Sequence, residues 1–438
     1  MTTLAITTPW RRGTCPGLSA PMPTGDGLLV RLMPIGGISL PAFAALCRAA
    51  QMHGNGVIEI TSRGSVQVRG LSADSAPRFA AEIGALGIAA AEGVPVLSNP
   101  LAGIAAAEIL DAGALAADLR RALALPARLG AKVSIIIDGG GTPRPDAVAG
   151  DIRLRAEATN AGTAFQLSVG GDAVSAAALG MVAAEHGIKA VTRLLDVLAT
   201  HGRNARMRDV LVTEGTAAFR AAIADLLVPF ARPRASGDPL PDSRLRGNER
   251  REPIGIHPLR DGSLACGVGL AFGHADAASL ERLVDAAGAA GAAELRAAPG
   301  RTLMTIGLAP ETAAAFVAAA EKLGFIVRAG DQRRKVVACA GAPICASAHI
   351  AARTLAPDVA ARAAPYGDGT SIIHISGCAK GCAHAAPAAL TVVGTAGGCA
   401  LIAHGSASDA PFAVVPVNDL PATIARYARE PRHEAGHV

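Results

Sequence analysis

An α+β protein built as an internal repeat is the fold class the sequence predicts, and three observations predict it. Residues 28 to 88 and residues 264 to 327 carry the same order of elements: strand, helix, strand, strand, helix. Each copy leads into a longer segment of α/β character, roughly 90 to 230 and 329 to 428. A stretch dense in Pro, Gly and charge, from Ala231 to Pro253, separates the halves and is too poor in large apolar residues to build a core.

In the first copy LLVRL precedes a helix opened by Ser39, with Phe43, Leu46, Cys47 and Ala50 at helical spacing and Gly54 as its stop. Two strands lie in Gly54 to Leu71, and the next helix carries Phe79, Ile83 and Leu86 on one face. In the second copy LACGVGL comes first, and a helix follows with Leu280, Leu283, Val284 and Ala287. Two strands then lie in Ala292 to Leu308, before a helix around Phe316 and Leu323. This order is that of a ferredoxin-like half-domain. The expected domains are a ferredoxin-like half at 20–89, an α/β domain at 90–230, a linker at 231–253, a second half at 254–328 and a second α/β domain at 329–428, in a pseudo-twofold arrangement. The last ten residues read as a loose tail.

The 438 residues allow several cores without staples. Half of them are hydrophobic, but the count leans on alanine and no run approaches the length that spans a bilayer, so no membrane partner is expected. MTTLAITTPWRRG lacks the apolar core of a secretion signal, and eight cysteines are too sparse for a disulfide framework; a reducing cytoplasm is the expected location. A net charge of +5 favours an anionic partner. Aromatics at 3% with no basic block among them exclude a stacking nucleic-acid surface, which leaves a small polyanion.

Four of the eight cysteines fall between 339 and 382, as C-x5-C at Cys339 and Cys345 and C-x3-C at Cys378 and Cys382. Each pair follows a β-rich run, KVVA and SIIHIS, so the thiolates should emerge together at strand ends, with Gly341, Gly377 and Gly381 allowing tight turns and close approach. Four thiolates so spread suit a [4Fe-4S] cluster. Zinc is the rival, but its pairs usually sit two to four residues apart, and buried inert cysteines are the other alternative. Cys15, Cys47, Cys266 and Cys399 each stand alone, and Cys47 and Cys266 read as core filler.

In SVQVRGL, Val66 and Val68 alternate with Ser65, Gln67 and Arg69, and Arg63 shares the latter parity, so one face is apolar and the other cationic. Arg63 and Arg69 could grip carboxylates in bidentate fashion, or simply face solvent. Arg301, near the equivalent turn of the second copy, is the symmetric candidate; Arg31, Arg128 and Lys132 are weaker ones.

With the repeat and the cysteines in hand, the chain resembles the sulfite and nitrite reductase superfamily, and its most specific parts are the cysteine pattern and Thr61 to Gly70. Within it, SGCAKGCAH (Ser376 to His384), TCPG (Thr14 to Gly17), PTGDGLLVRL (Pro23 to Leu32) and NPLAG (Asn99 to Gly103) resemble the precorrin-3B synthase family of aerobic cobalamin biosynthesis. The resemblance implies an oxygen-dependent monooxygenase that hydroxylates the tetrapyrrole precorrin-3A and closes a γ-lactone, using NADH-derived electrons. It also implies a mononuclear non-haem iron, for which no 2-His-1-carboxylate triad is legible; His53, His374 and His384 lie near the motifs without being assigned as ligands. Under this reading Cys339, Cys345, Cys378 and Cys382 hold the cluster, and Arg63, Arg69 and Arg301 pair with substrate carboxylates.

Two departures bear on the alternatives. Sulfite reductases carry an arginine shortly before the NPLAG-like loop, where this chain has Val94, Pro95 and Val96, which argues against sulfite reduction; and Arg128 stands where they have a lysine. A sirohaem-dependent sulfite or nitrite reductase and a zinc-stabilised binding protein stay as alternatives. A dinucleotide-binding dehydrogenase does not fit, since Gly267, Gly269 and Gly273 have the wrong spacing, and electrons from NADH are expected to arrive through a partner reductase.

Overall fold

The computed structural model describes residues 16–91, 93–123, 129–130, 132–229, 252–362, 372–384 and 386–427. Cys15, Arg128 and most of the expected linker lie outside the described residues.

The first half-sheet is antiparallel, in the order Met22–Thr24, Gly27–Leu32, Val66–Leu71, Val57–Ile60, His274–Asp276. The second runs Gly255–Pro258, Leu264–Gly269, Thr302–Leu308, Glu294–Ala298, Ile38–Ser39. Each sheet is therefore completed by an edge strand from the other half, His274 to Asp276 beside Val57 to Glu59 and Ile38 to Ser39 beside Glu294 and Leu295. Arg63 bridges to Pro299, and the Gly300 amide donates to Ser62 O at 3.0 Å. The exchange was not part of the expected topology. Both edge strands are only two or three residues long, too short for a periodic signal.

Helix Leu40–His53 starts where the Ser39 hydroxyl accepts the Ala42 amide, and it buries Phe43, Leu46, Cys47, Ala49 and Ala50. Its partner in the repeat, Ala277–Ala289, starts at Asp276, whose carboxylate caps the Ser279 amide at 2.8 Å, and buries Leu280, Leu283, Val284 and Ala287. These helices, with Ser75–Ala85 and Pro310–Lys322, cover one face of the two half-sheets, and their side chains merge into a single core shared by both halves. Cys47 and Cys266 are buried in that core, where desolvation pushes both thiols up to about 12.

The other two sheets share one topology. In the first α/β sheet Val96–Ser98, Ile135–Asp138 and Gly150–Thr159 run parallel, then Gly162–Gly171, Ala177–Ala183 and Leu227–Val228 continue antiparallel. In the second, Val336–Ala338, Ile373–Ser376 and Ala388–Thr395 run parallel, followed by antiparallel Gly398–Gly405 and Ala413–Val415. A crossover helix, Ala112–Ala122 or Ala352–Arg362, joins the first two strands in each, as a parallel connection requires. The carboxyl ends of parallel strands are where α/β sheets present their loops to ligands. In the second sheet those ends lead straight into Cys339 and, two residues past Ser376, Cys378. No described helix is long and apolar enough to cross a membrane.

Candidate functional site

The two cysteine pairs meet because their strands are neighbours: Val336–Ala338 pairs in register with Ile373–Ile375. The Gly377 amide donates to Cys339 Sγ at 3.0 Å, so one loop already satisfies a sulfur of the other. Cys345 is held by its own amide on Gly341 O at 2.8 Å, in a turn where Gly341 takes a φ of 69° that side chains disfavour. The hairpin turn of the first half-sheet closes the site from the other side, the Gly25 carbonyl accepting the Ala346 amide at 2.9 Å. A Cβ on Gly25 would collide with Cys345 Sγ, and one on Gly377 would lie 2.6 Å from Ala348 Cβ. Cys339, Cys345 and Cys378 are partly covered and Cys382 is the most exposed.

The thiols feel one another. Burial first, then the charges of Cys345 and Cys378, raises the Cys339 thiol, against the lowering effect of the Gly377 and Gly341 amides. Cys382 is raised by burial and then by Cys339 and Cys378, while Arg69 and Lys380 oppose. Thiols carried on adjoining strand ends, one of them already accepting a backbone amide, form a donor set suited to several cations bridged by sulfide. Among the described residues no three His, Cys, Asp or Glu side chains converge tightly enough to hold one metal ion. Zinc would gather its thiolates round one ion, whereas each iron of a cube takes a single protein thiolate, so a cube does not require three of them to converge on one point.

The face of the first half-sheet toward these loops is polar and covered. Ser65, Gln67 and Arg69 are 4%, 6% and 9% exposed, so this is not the solvated face that the alternation alone allowed. Arg69 grips Asp26 with Nε at 2.8 Å and a terminal nitrogen at 2.7 Å, and another lies 3.6 Å from Glu59. Burial alone would raise Asp26, but Arg69 holds it below its ordinary value. Arg353, from the helix after the first cysteine pair, donates to Glu59 at 2.6 Å. The Gln67 amide, oriented to suit its neighbours, donates to Glu59 at 2.9 Å and accepts from Arg31 Nε at 2.7 Å. Arg63 reaches another way, donating to Ser134 Oγ at 3.1 Å and Ala149 O at 2.7 Å, and so ties the half-domain to the first α/β sheet.

Arg301 sits in a left-handed backbone conformation, φ 62°, with its stem over Gly273. Burial lowers its basicity, and Glu59 is the carboxylate that opposes this. Its charge reaches His374 and His384, which stack edge to face at 5.8 Å. His374 is fully buried, neither of its ring nitrogens has a hydrogen-bond partner among the described residues, and burial, then His384, holds it at about 4.

Relatives fit this architecture. The family model of the nitrite/sulfite reductase ferredoxin-like half domain matches residues 20–86. A precorrin-3B synthase from a Sinorhizobium species is 40% identical over 96% of this chain and 88% of its own length. The chain belongs to the precorrin-3B synthase family. A ferredoxin–nitrite reductase from Synechococcus elongatus is 26% identical over 53% of the chain and 49% of its own length. The Mycobacterium tuberculosis NirA structure superposes with a TM-score of 0.66, covering 92% of this chain and 80% of that one at 21% identity, so the two chains share a fold.

The alternation in the sequence places Arg69 on the polar face, but nothing in the sequence marks Asp26, Glu59 or Arg353, and His374 stands beside the motifs without an assigned role. Asp26 and Arg353 lie in a turn and a helix remote from Arg69 in sequence, where a lone charge carries no signal. His274, at the edge of the same sheet, offers a pH test. Burial and then Arg353 hold its imidazole at about 4, below the ordinary 6.5. The unfolded chain therefore takes up a proton between pH 6.5 and 4 that the native state refuses. Stability is full above about pH 6.5 and falls toward pH 4, by on the order of 2 kcal/mol from this residue. Chemical denaturation of His274→Gln should show a shallower loss between pH 7 and 5; an unchanged slope would assign the loss elsewhere.

Proposed function

We propose that this protein is an oxidoreductase of cobalamin biosynthesis that hydroxylates precorrin-3A and closes its γ-lactone, with a [4Fe-4S] cluster on Cys339, Cys345, Cys378 and Cys382. The observation that carries the substrate is the identity to a named precorrin-3B synthase across nearly the whole chain; the gathered thiols support the cofactor. When bound, the cluster supplies electrons one at a time. In the overall balance one atom of dioxygen enters the substrate and the other leaves as water, with two electrons from NADH delivered by a partner reductase.

The chain's own residues bind and orient. Arg69, Arg301 and Arg353 stand with Glu59 and Asp26 in this covered region, three positive charges beside two carboxylates, which supports a site for an anion. Arg301, the least engaged, is the first contact for a tetrapyrrole carboxylate, with Arg69 and Arg63 secondary because each already has partners. The described residues offer no three-ligand set for a mononuclear iron, so none is assigned.

Arg301→Ala should weaken precorrin-3A binding about 10- to 100-fold, the worth of a charged hydrogen bond, with iron and sulfide unchanged; unchanged affinity would remove Arg301 from the site. The activity itself is tested by supplying precorrin-3A, labelled dioxygen and a reducing system. A product heavier by one labelled oxygen atom supports the reading, and its absence with cluster-loaded protein overturns it. A second reading, sirohaem-dependent reduction of sulfite or nitrite, has the shared fold in its favour and predicts sirohaem absorption bands.

A further inference from the structure

The half-sheet facing the thiols carries a row of charge that its repeat lacks. Arg31, Gln67, Glu59 and His274 are successive cross-strand partners, and Arg69 stands two residues beyond Gln67 on the same face. At the repeat-related register of the second half-sheet the row reads Gly267, Met304 and Arg296, with Ile306 in the place of Arg69. There Met304 and Ile306 join Ala265, Ala298 and Leu259 to pack on Leu101 and Ala105 of the first α/β lobe, while Arg296 donates to the Pro100 carbonyl at 3.2 Å. Apolar packing, with Arg296 and Arg260 at its rim, the latter donating to the Ala105 carbonyl at 3.1 Å, thus docks a lobe on this face. Buried ion pairs bring a desolvation cost that hydrophobic replacements avoid, so docking alone does not account for the charges kept on the thiol-facing copy.

We propose that the linked pairs Arg353–Glu59 and Arg69–Asp26 are a positioning network that sets the reduction potential of the group held by the four cysteines. This rests on the cluster reading above. Arg353 leaves the loop that carries Cys345 and is pinned by Glu59 at 2.6 Å, and Asp26 follows Gly25, whose carbonyl holds the residue after Cys345. The fields of Arg353 and Arg69 reach Cys339 and Cys382 respectively. Net charge and hydrogen bonding at the sulfurs are among the main levers on iron–sulfur potentials. An arginine favours the added electron, and a carboxylate disfavours it.

The test is the midpoint potential of the full-length, cluster-loaded protein, followed by electron paramagnetic resonance during a redox titration. Arg353→Gln should lower it, Glu59→Gln should raise it, and Arg353→Lys should stay close to wild type. Arg48→Gln, which breaks a surface pair with Glu281 on the helix covering the opposite sheet face, should leave it in place. Should Glu59→Gln fail to fold, Asp26→Asn takes its place and should also raise the potential. Shifts of the same sign in the arginine and carboxylate variants, or none, would overturn the network's role while leaving the cluster reading intact. Wild-type protein that assembles no iron–sulfur cluster would overturn both.

Discussion

Cys378→Ser should abolish the visible absorption, the iron and the labile sulfide of the protein together with its activity, while the fold persists. The expectation follows from position. Cys378 stands two residues past strand Ile373–Ser376, one of three parallel strands in a lobe whose core is built from Val336, Ile373, Ile375, Leu390 and Val392 and includes none of the four cysteines among its buried members. A hydroxyl in place of the thiol leaves that core alone and removes a soft ligand that iron–sulfur clusters require. Circular dichroism and thermal unfolding should stay near those of the cluster-free wild type. Iron content at the wild-type level would contradict the ligand assignment at this position.

Gly25→Ala should nearly match that loss without touching a cysteine. The new methyl would overlap Cys345 Sγ, while it meets the backbone nitrogens of Ser347 and Ala346 at ordinary contact distances of 3.4 and 3.5 Å. The cheapest relief moves the sulfur, which is the end of a short side chain, and a ligand sulfur out of place costs far more than an ordinary surface methyl. The turn cannot retreat easily, because the next residue, Asp26, is clamped by Arg69 through two hydrogen bonds. Anaerobic reconstitution should yield a small fraction of wild-type iron, and Gly17→Ala, where a Cβ meets nothing within 4 Å, should reconstitute normally. Full reconstitution of Gly25→Ala would show that this turn does not bear on the site.

The sequence was most informative where a local period met a local rule. Helical spacing of Phe43, Leu46, Cys47 and Ala50 behind Ser39, and of Leu280, Leu283, Val284 and Ala287, marks residues that the shared core buries. Alternation through Val66 to Arg69 separated the core face from the polar one, and β-rich runs before Cys339 and Cys378 put the two pairs at adjoining strand ends. What was hidden is non-local. The exchanged edge strands are too short to show a period, and they are fixed by the partner sheet they complete. The covering of the polar face depends on Arg353 and Asp26, which reach it from separate elements. Parity alone cannot tell a covered charge from a solvated one, and here Arg69 is covered and paired where Arg63 turns to another lobe.

Everything proposed for the site depends on these four cysteines together holding one redox-active iron–sulfur centre. Iron, zinc and labile sulfide analysis of protein purified without oxygen, taken with its visible spectrum, tests it most directly. The protein should carry iron and sulfide in equal amounts near four per chain, with a broad band near the blue and no haem-type bands. Colourless protein carrying zinc, or protein that takes up neither iron nor sulfide on reconstitution, would contradict it.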